Sequence, residues 1–189
     1  MITSIDKIME DFGLGLARDG RVELKVHQAE WDRAFIFESE RIQKAISDFP
    51  MSLHHMGSTS ISTISAKPIL DILAEVSSIE KMDKAQSVLE ALGYEYKGEY
   101  GIPGRRYCVL YNTDKTKGFV HLHAFEFGDK EIQKHLLFRD YLRTFPDVAK
   151  AYENLKKDLS LKFKRSEYSE MKSEFIKKTL IEARAELTR

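Results

Sequence analysis

The run Leu70-Asp71-Ile72-Leu73-Ala74-Glu75-Val76 restricts the fold more than any other stretch of the chain. Side chains on a strand alternate between faces, so Leu70, Ile72, Ala74 and Val76 make an unbroken apolar face that has to be packed. Ile69, Asp71, Leu73 and Glu75 share the other face, which sets one carboxylate in the middle of a hydrophobic run. A few residues earlier, His55-Met56 leads into Gly57-Ser58-Thr59-Ser60. Glycine lets a turn bring bare backbone close to a ligand, and the N–H and hydroxyl groups of Ser58, Thr59 and Ser60 are donors suited to a phosphate or carboxylate. The expected order is strand, small-residue turn, strand, with the turn as a ligand cradle and Asp71 sharing its cleft. The plain alternative leaves Asp71 solvated on an open face and Ser58 capping a short helix.

Three segments carry a family resemblance: His55-Met56-Gly57-Ser58-Thr59-Ser60, Ala66-Lys67-Pro68-Ile69-Leu70-Asp71-Ile72 and Phe138-Arg139-Asp140-Tyr141-Leu142-Arg143. Their order and content resemble the GrpB family, related to the nucleotidyltransferase superfamily, over roughly residues 21 to 180. The resemblance implies an α+β fold: a nucleotidyltransferase-like mixed β-sheet core packed with helices, and a helical C-terminal portion. That superfamily follows its first strand with a glycine-serine turn and carries an Asp-x-Asp or Asp-x-Glu pair on the next strand. Here the position two after Asp71 is Leu73. Nucleotidyl transfer normally uses divalent ions held by clustered carboxylates, so one aspartate alone does not make that site.

A second stretch offers other ligands. In Val120-His121-Leu122-His123-Ala124-Phe125-Glu126 the even positions up to Ala124 are apolar, and His121 and His123 share the opposite face. Two imidazoles at i and i+2 on a strand reach one divalent ion, and an aspartate from a neighbouring strand completes a site with open positions. Asp71, His121 and His123 are therefore expected to converge at the Ser58 cradle and hold Mg, Mn or Zn, the imidazoles taking the role that Leu73 cannot. Alternatively, the paired histidines bind a phosphate directly or hydrogen-bond to side chains with no ligand. Glu126 has the wrong parity to join them without a bulge. Of the adjacent His54 and His55, one is expected to face inward as a satisfied core group.

Cationic candidates flank this site. Arg105 and Arg106 open a strand on opposite faces, so at most one enters the cleft, where a guanidinium suits a phosphate or carboxylate. Lys67 stands before Pro68 at the mouth of the Asp71 strand. The ordinary fate of each is a solvated edge charge. Arg139, Asp140 and Arg143 lie within one helical turn, where an internal ion pair is the plain reading.

Lysine plus arginine balances aspartate plus glutamate at 30 each, so no global field concentrates nucleic acid or an anionic membrane. General nucleic-acid binding and membrane association are disfavoured, and a small-molecule or nucleotide ligand is the expected partner. The single cysteine, Cys108, excludes an intramolecular disulfide and reads as a small buried hydrophobe. No apolar run approaches a membrane span and no secretion signal is evident, so a soluble cytoplasmic protein is expected.

Along the chain, Ile2, Ile5, Ile8, Met9 and Phe12 fall at helical spacing, so residues 1–20 read as a docking helix and connector. Residues 21–189 read as one nucleotidyltransferase-like domain, with C-terminal helices from about residue 129. Within it, Val22, Leu24 and Val26 alternate as on a strand, and residues 30–49 form an amphipathic helix anchored by Trp31. Ser77 and Glu80 make a capping box for a helix that stops at Gly93. Residues 94–100, 105–111 and 119–127 form an antiparallel meander, and helices follow over 130–143, from Pro146, and over 167–187.

Three functions fit these residues. The first is metal-dependent nucleotidyl transfer to a small molecule, with Gly57 and Ser58 on phosphate and Asp71, His121 and His123 on the ion. The second is a non-catalytic module binding a nucleotide or anionic metabolite, and the third is metal-dependent hydrolysis.

Overall fold

The computed structural model describes residues 4–19, 22–168 and 170–187. In chain order the elements are α1 (Ile5–Asp11), β1 (Leu16–Ala17), α2 (Glu30–Ala45), β2 (Met51–Met56), β3 (Leu70–Val76), α3 (Ile79–Lys84), α4 (Gln86–Ala91) and β4 (Tyr94–Tyr96). They continue with β5 (Arg106–Tyr111), β6 (Lys117–Glu126), α5 (Lys130–Thr144), α6 (Pro146–Lys162), α7 (Arg165–Tyr168) and α8 (Ser173–Leu187). Short 3-10 turns lie at Ser58–Ser60 and Glu170–Lys172.

The sheet runs β2-β3-β6-β5-β4 and is mixed: β3 and β6 pair in parallel, and the other neighbours on this path pair antiparallel. Pairing with β3 begins only at Val120, which leaves the start of β6 open on that side. Leu16 and Ala17 fill it opposite Gly118 and Lys117, so part of the expected connector is a strand.

Helices cover both faces. Leu70, Ile72, Ala74, Val76, Val120, Leu122 and Ala124 pack with Trp31, Ala34, Ile42, Met82 and Leu89 in the main core, which also takes Met9 of α1. Ile2, the first of the N-terminal apolar set, lies outside the described residues. On the other face Leu73 and Phe125 bury against Met56 and Ile132 of α5. Each such large apolar side chain contributes roughly 1.5–3 kcal/mol on burial. This α+β architecture, a mixed sheet with helices on both faces, is the one the family resemblance implies. Among the described residues no helix is long and apolar enough to cross a membrane.

Several local expectations are corrected. Val22, Leu24 and Val26 make no strand: the backbone of the segment forms an isolated bridge between Lys25 and Ala66, with N–H to carbonyl bonds of 2.8 Å in both directions. Val22 and Leu24 pack with Leu159 and Tyr168, while Val26 stays 77% exposed. α2 ends at Ala45, since Ile46 (φ −105°, ψ 80°) has left helical geometry, although Phe49 still packs in the core. The capping serine is Ser78 rather than Ser77: its hydroxyl oxygen accepts from Lys81 N–H at 3.3 Å. That helix then breaks at Ala85 (φ −83°, ψ 2°) into α3 and α4. The last helix is likewise divided, into α7, a 3-10 turn and α8. Asp129 caps α5 and Pro146 opens α6 as expected.

One polar staple joins the layers. Glu153 of α6, 4% exposed, accepts from Ser65 N–H at 2.9 Å and from the Ser65 hydroxyl at 2.6 Å, with Lys150 and Lys157 at 2.7 and 3.1 Å. Those donors, Lys150 first and then Ser65, hold its carboxyl far below the ordinary value of 4.5. A depressed carboxylate stabilises the fold above its unfolded pKa, and the stabilisation fades as pH falls below about 4.5. Glu153→Gln is expected to lower unfolding free energy at neutral pH by about 1–3 kcal/mol. It should also flatten the acid limb of stability against pH, both read by urea denaturation.

Candidate functional site

Parallel pairing of β3 with β6 sets Asp71 directly opposite His121 and Leu73 opposite His123. All four project from the sheet face covered by the C-terminal helices. Asp71 Oδ1 lies 3.1 Å from His121 Nδ1, and Asp71, His121 and His123 each offer a ligand atom within 4.8 Å of the others. Asp71 is 29% and His121 20% exposed, so the group is open to solvent.

Electrostatics set the charge of these groups. Burial is the largest influence on Asp71 and opposes its charge, but the hydrogen bond to His121 and the pull of His121, His123 and Lys67 together outweigh it, and its carboxyl is drawn down to about 2. Burial pushes His123 down to about 3, which keeps its imidazole neutral and its lone pair available. Tyr107, opposite His123 on β5, packs its ring 4.9 Å from His123 and 5.5 Å from His121. His135 of α5 closes the far side, 6.1 Å from His123 between ring centroids, and burial lowers its pKa too.

Gly57 and Ser58 face this group. At φ +69° Gly57 has backbone that an L side chain rarely adopts, and a Cβ there would sit 2.3 Å from Asp71 Oδ2. Only glycine lets the turn lie this close to the carboxylate. Ser58 is half-buried, and burial raises the pKa of neighbouring Tyr152 from α6 while Ser58 draws it down. Thr59 and Ser60, named as ligand donors from sequence, are buried and engaged internally. The Thr59 hydroxyl meets His55 Nε2 at 3.1 Å, and the Ser60 hydroxyl donates to the Gly57 carbonyl at 2.7 Å.

His55 is the inward-facing member of its pair. It stacks on Phe35 at 5.1 Å, approaches Asp32 at 3.2 Å, and burial lowers its pKa to about 4. His54 instead pairs with Glu75 at 2.6 Å.

The cations divide as strand parity requires. Arg105 joins the site wall, its Nη1 3.5 Å from His123 Nδ1 and its guanidinium 4.8 Å over the Tyr107 ring, while it donates to the Glu99 and Tyr100 carbonyls. Arg106 does not reach the site: paired with Ala124, it faces the other side and forms a two-pronged bond to Asp83 at 2.5 and 2.8 Å. Lys67 lies 5.1 Å over the Tyr168 ring, and its charge reaches Asp71.

Sequence reasoning missed several neighbours. Tyr107, His135, Tyr152, Lys156 and Tyr168 surround the cleft. Only parity on β5, for Tyr107, and helical spacing from Ile132, for His135, offered a signal. Arg139 and Arg143 make the ion pairs with Asp140 that their spacing suggests, at 2.7 and 3.8 Å. They also donate to the backbone carbonyls of His55 (3.0 Å) and Ser60 (3.0 and 2.7 Å), bracketing the glycine turn.

The family profile described as GrpB protein matches residues 21–182. The chain is 42% identical over 159 residues to the UPF0157 protein YqkA of Bacillus subtilis (strain 168), covering 83% of this chain and 46% of that protein. It thus spans less than half the length of that relative. It is 34% identical over 167 residues to the glutamate-rich protein GrpB of Alkalihalophilus pseudofirmus, covering 86% of this chain and 96% of that one. The crystal structure of the conserved protein GrpB from Enterococcus faecalis superposes with a TM-score of 0.78 at 36% identity, over 88% of this chain and all of that one. With its fold matched along a relative's whole length and its profile matched over residues 21–182, the chain belongs to the GrpB family.

Proposed function

We propose that the protein is a metal-dependent, nucleotidyltransferase-like enzyme acting on a nucleotide and a small acceptor. One observation carries the reading: Asp71, His121 and His123 converge to within 4.8 Å under a glycine turn that approaches the carboxylate. The donor set fits a divalent ion. A tetrahedral ion with bonds of about 2.0–2.2 Å spaces its ligands by about 3.3–3.6 Å, close to the 3.1 Å between Asp71 Oδ1 and His121 Nδ1. Two imidazoles and one carboxylate favour Zn or Mn over Mg, which prefers oxygen donors and its own waters. When bound, such an ion would neutralise charge on a phosphoryl group.

The chain's own residues would do the rest. Gly57 and Ser58 hold phosphate through backbone N–H and hydroxyl, while Arg105 sets positive charge at the His123 side. In the transfer, the acceptor oxygen bonds the α-phosphorus, its proton passes to solvent, and pyrophosphate leaves.

A second reading, binding without transfer, is favoured by Leu73. That side chain is fully buried with Met56, Phe125 and Ile132, so no second carboxylate stands where the superfamily carries one. Metal-dependent hydrolysis would use the same three ligands with water as acceptor.

Two experiments separate these readings. For metal-stripped protein, saturating Zn or Mn is expected to raise Tm by about 5–10 °C, with a smaller response to Mg, and Asp71→Asn should abolish the shift. If no divalent ion shifts Tm and Asp71→Asn leaves every nucleotide response unchanged, the metal-assisted reading fails. Pyrophosphate release from a nucleoside triphosphate supports transfer, whereas nucleotide binding without turnover supports the module. Separately, Gly57→Ala is expected to force Asp71 aside, cost about 1–3 kcal/mol of stability, and weaken Zn affinity at least about tenfold by calorimetry.

A further inference from the structure

A second cavity lies at the far end of the glycine turn, where Ser60 and Ile61 meet the start of α2. It holds about 260 Å3, below the roughly 300–1,000 Å3 of pockets that take drug-sized ligands. Asp32 of α2 and Arg143 of α5 give it a carboxylate and a guanidinium, and Ser62 and Thr63, both exposed, give it hydroxyls. His27 completes the wall. Its ring meets Trp31 edge-on at 5.4 Å and its Nδ1 is buried with no hydrogen-bond partner among the described residues, so the polar lining here is incompletely satisfied.

The two charged groups feel one another, yet no ion pair joins them among the described residues. Asp32, 62% exposed, commits Oδ1 to His55 Nδ1 at 3.2 Å, while Oδ2 takes no hydrogen bond among the described residues. Burial lowers the His55 pKa to about 4, so at neutral pH that imidazole brings no countercharge. Arg143 donates from Nε and Nη2 to the Ser60 carbonyl at 3.0 and 2.7 Å. Its Nη1, with two N–H donors, has only Asp140 at 3.8 Å, an acid already held by Arg139 at 2.7 and 3.1 Å. A ligand of single charge suits half of this lining. An anion at Arg143 meets the Asp32 carboxylate, and a cation at Asp32 meets the guanidinium; a molecule with an ammonium beside a carboxylate presents the opposite charge to each.

We propose that this cavity binds a small α-amino acid, its ammonium on Asp32 and its carboxylate on Arg143 and the hydroxyls of Ser62 and Thr63. Ile61 is the one hydrocarbon side chain of the lining, so the ligand's own side chain is small or polar. The site does not rest on the nucleotide reading, since none of Asp71, His121 and His123 lines it. It does touch both ties of the turn: Asp32 reaches Thr59 through His55, and Arg143 holds the Ser60 carbonyl.

The test is calorimetric titration of glycine, L-alanine and L-serine into the protein in EDTA at neutral pH. At least one is expected to bind with a dissociation constant of about 1 mM or lower. Its decarboxylated and deaminated counterparts, which for serine are ethanolamine and 3-hydroxypropionate, should each bind at least about tenfold more weakly. Asp32→Asn should weaken the amino acid at least about tenfold and leave the deaminated acid no weaker. Arg143→Gln should weaken the amino acid to a similar extent and leave the decarboxylated amine no weaker, and Arg143→Lys should recover part of the loss. Because Arg143 also holds the turn, circular dichroism identifies any variant that fails to fold, and Asp32→Asn carries the test if one does. No binding by any of the three amino acids, a singly charged counterpart that binds as tightly, or binding indifferent to Asp32→Asn overturns the site, whether or not Zn binds at Asp71.

Discussion

The parallel pairing of β3 with β6 is the constraint on which the rest depends. It fixes a register in which Asp71 meets His121 and Leu73 meets His123, and it does so between segments separated by two helices and two further strands. Because side chains repeat every two residues, a slip of one position would turn His121 and His123 into the main core and bring Leu122 to the cleft. The apolar residues on the opposite face forbid that slip: Leu70, Ile72, Val120 and Leu122 are all fully buried against α2, α3 and α4. Packing on one side of the sheet thereby sets the chemistry on the other.

The cleft so produced has two chemically different ends. At one, a carboxylate held ionised and an imidazole held neutral are groups that could hold a cation. At the other, the ammonium groups of Lys67 and Lys172 lie over the Tyr168 ring. The missing side chain at Gly57 is what lets the turn approach the Asp71 carboxylate.

Much of the site's first layer was readable from residue order, and the reason is physical. Strand parity is a two-state code, so the grouping of His121 with His123, the separation of Arg105 from Arg106 and the position of Asp71 all follow from alternation once the strands are recognised. The turn was less legible. Thr59 and Ser60 have the same donors as Ser58, and only the 3-10 winding of Ser58–Ser60 decides that their hydroxyls bend back toward His55 and Gly57. Helix interruptions were hidden as well, since Ala85 is a good helix former and nothing in its neighbours marks the break. Tyr152, Lys156, Tyr168 and Lys172 reach the cleft from C-terminal segments whose angle of approach is set by tertiary packing, a quantity that local periodicity does not contain.

Arg139 and Arg143 project from α5 and hold the carbonyls that precede and follow the glycine turn. The loop is therefore held from outside as well as by its own 3-10 hydrogen bonds. Its two ends are pinned by a helix that also carries His135 against His123, so a tilt of that one rod would move the backbone of the turn and the far imidazole together. Mechanical linkage of this kind makes the helical layer a means of adjusting the pocket as a whole, and it means that the loop grafted onto another sheet without its arginine-bearing helix would not keep the same opening.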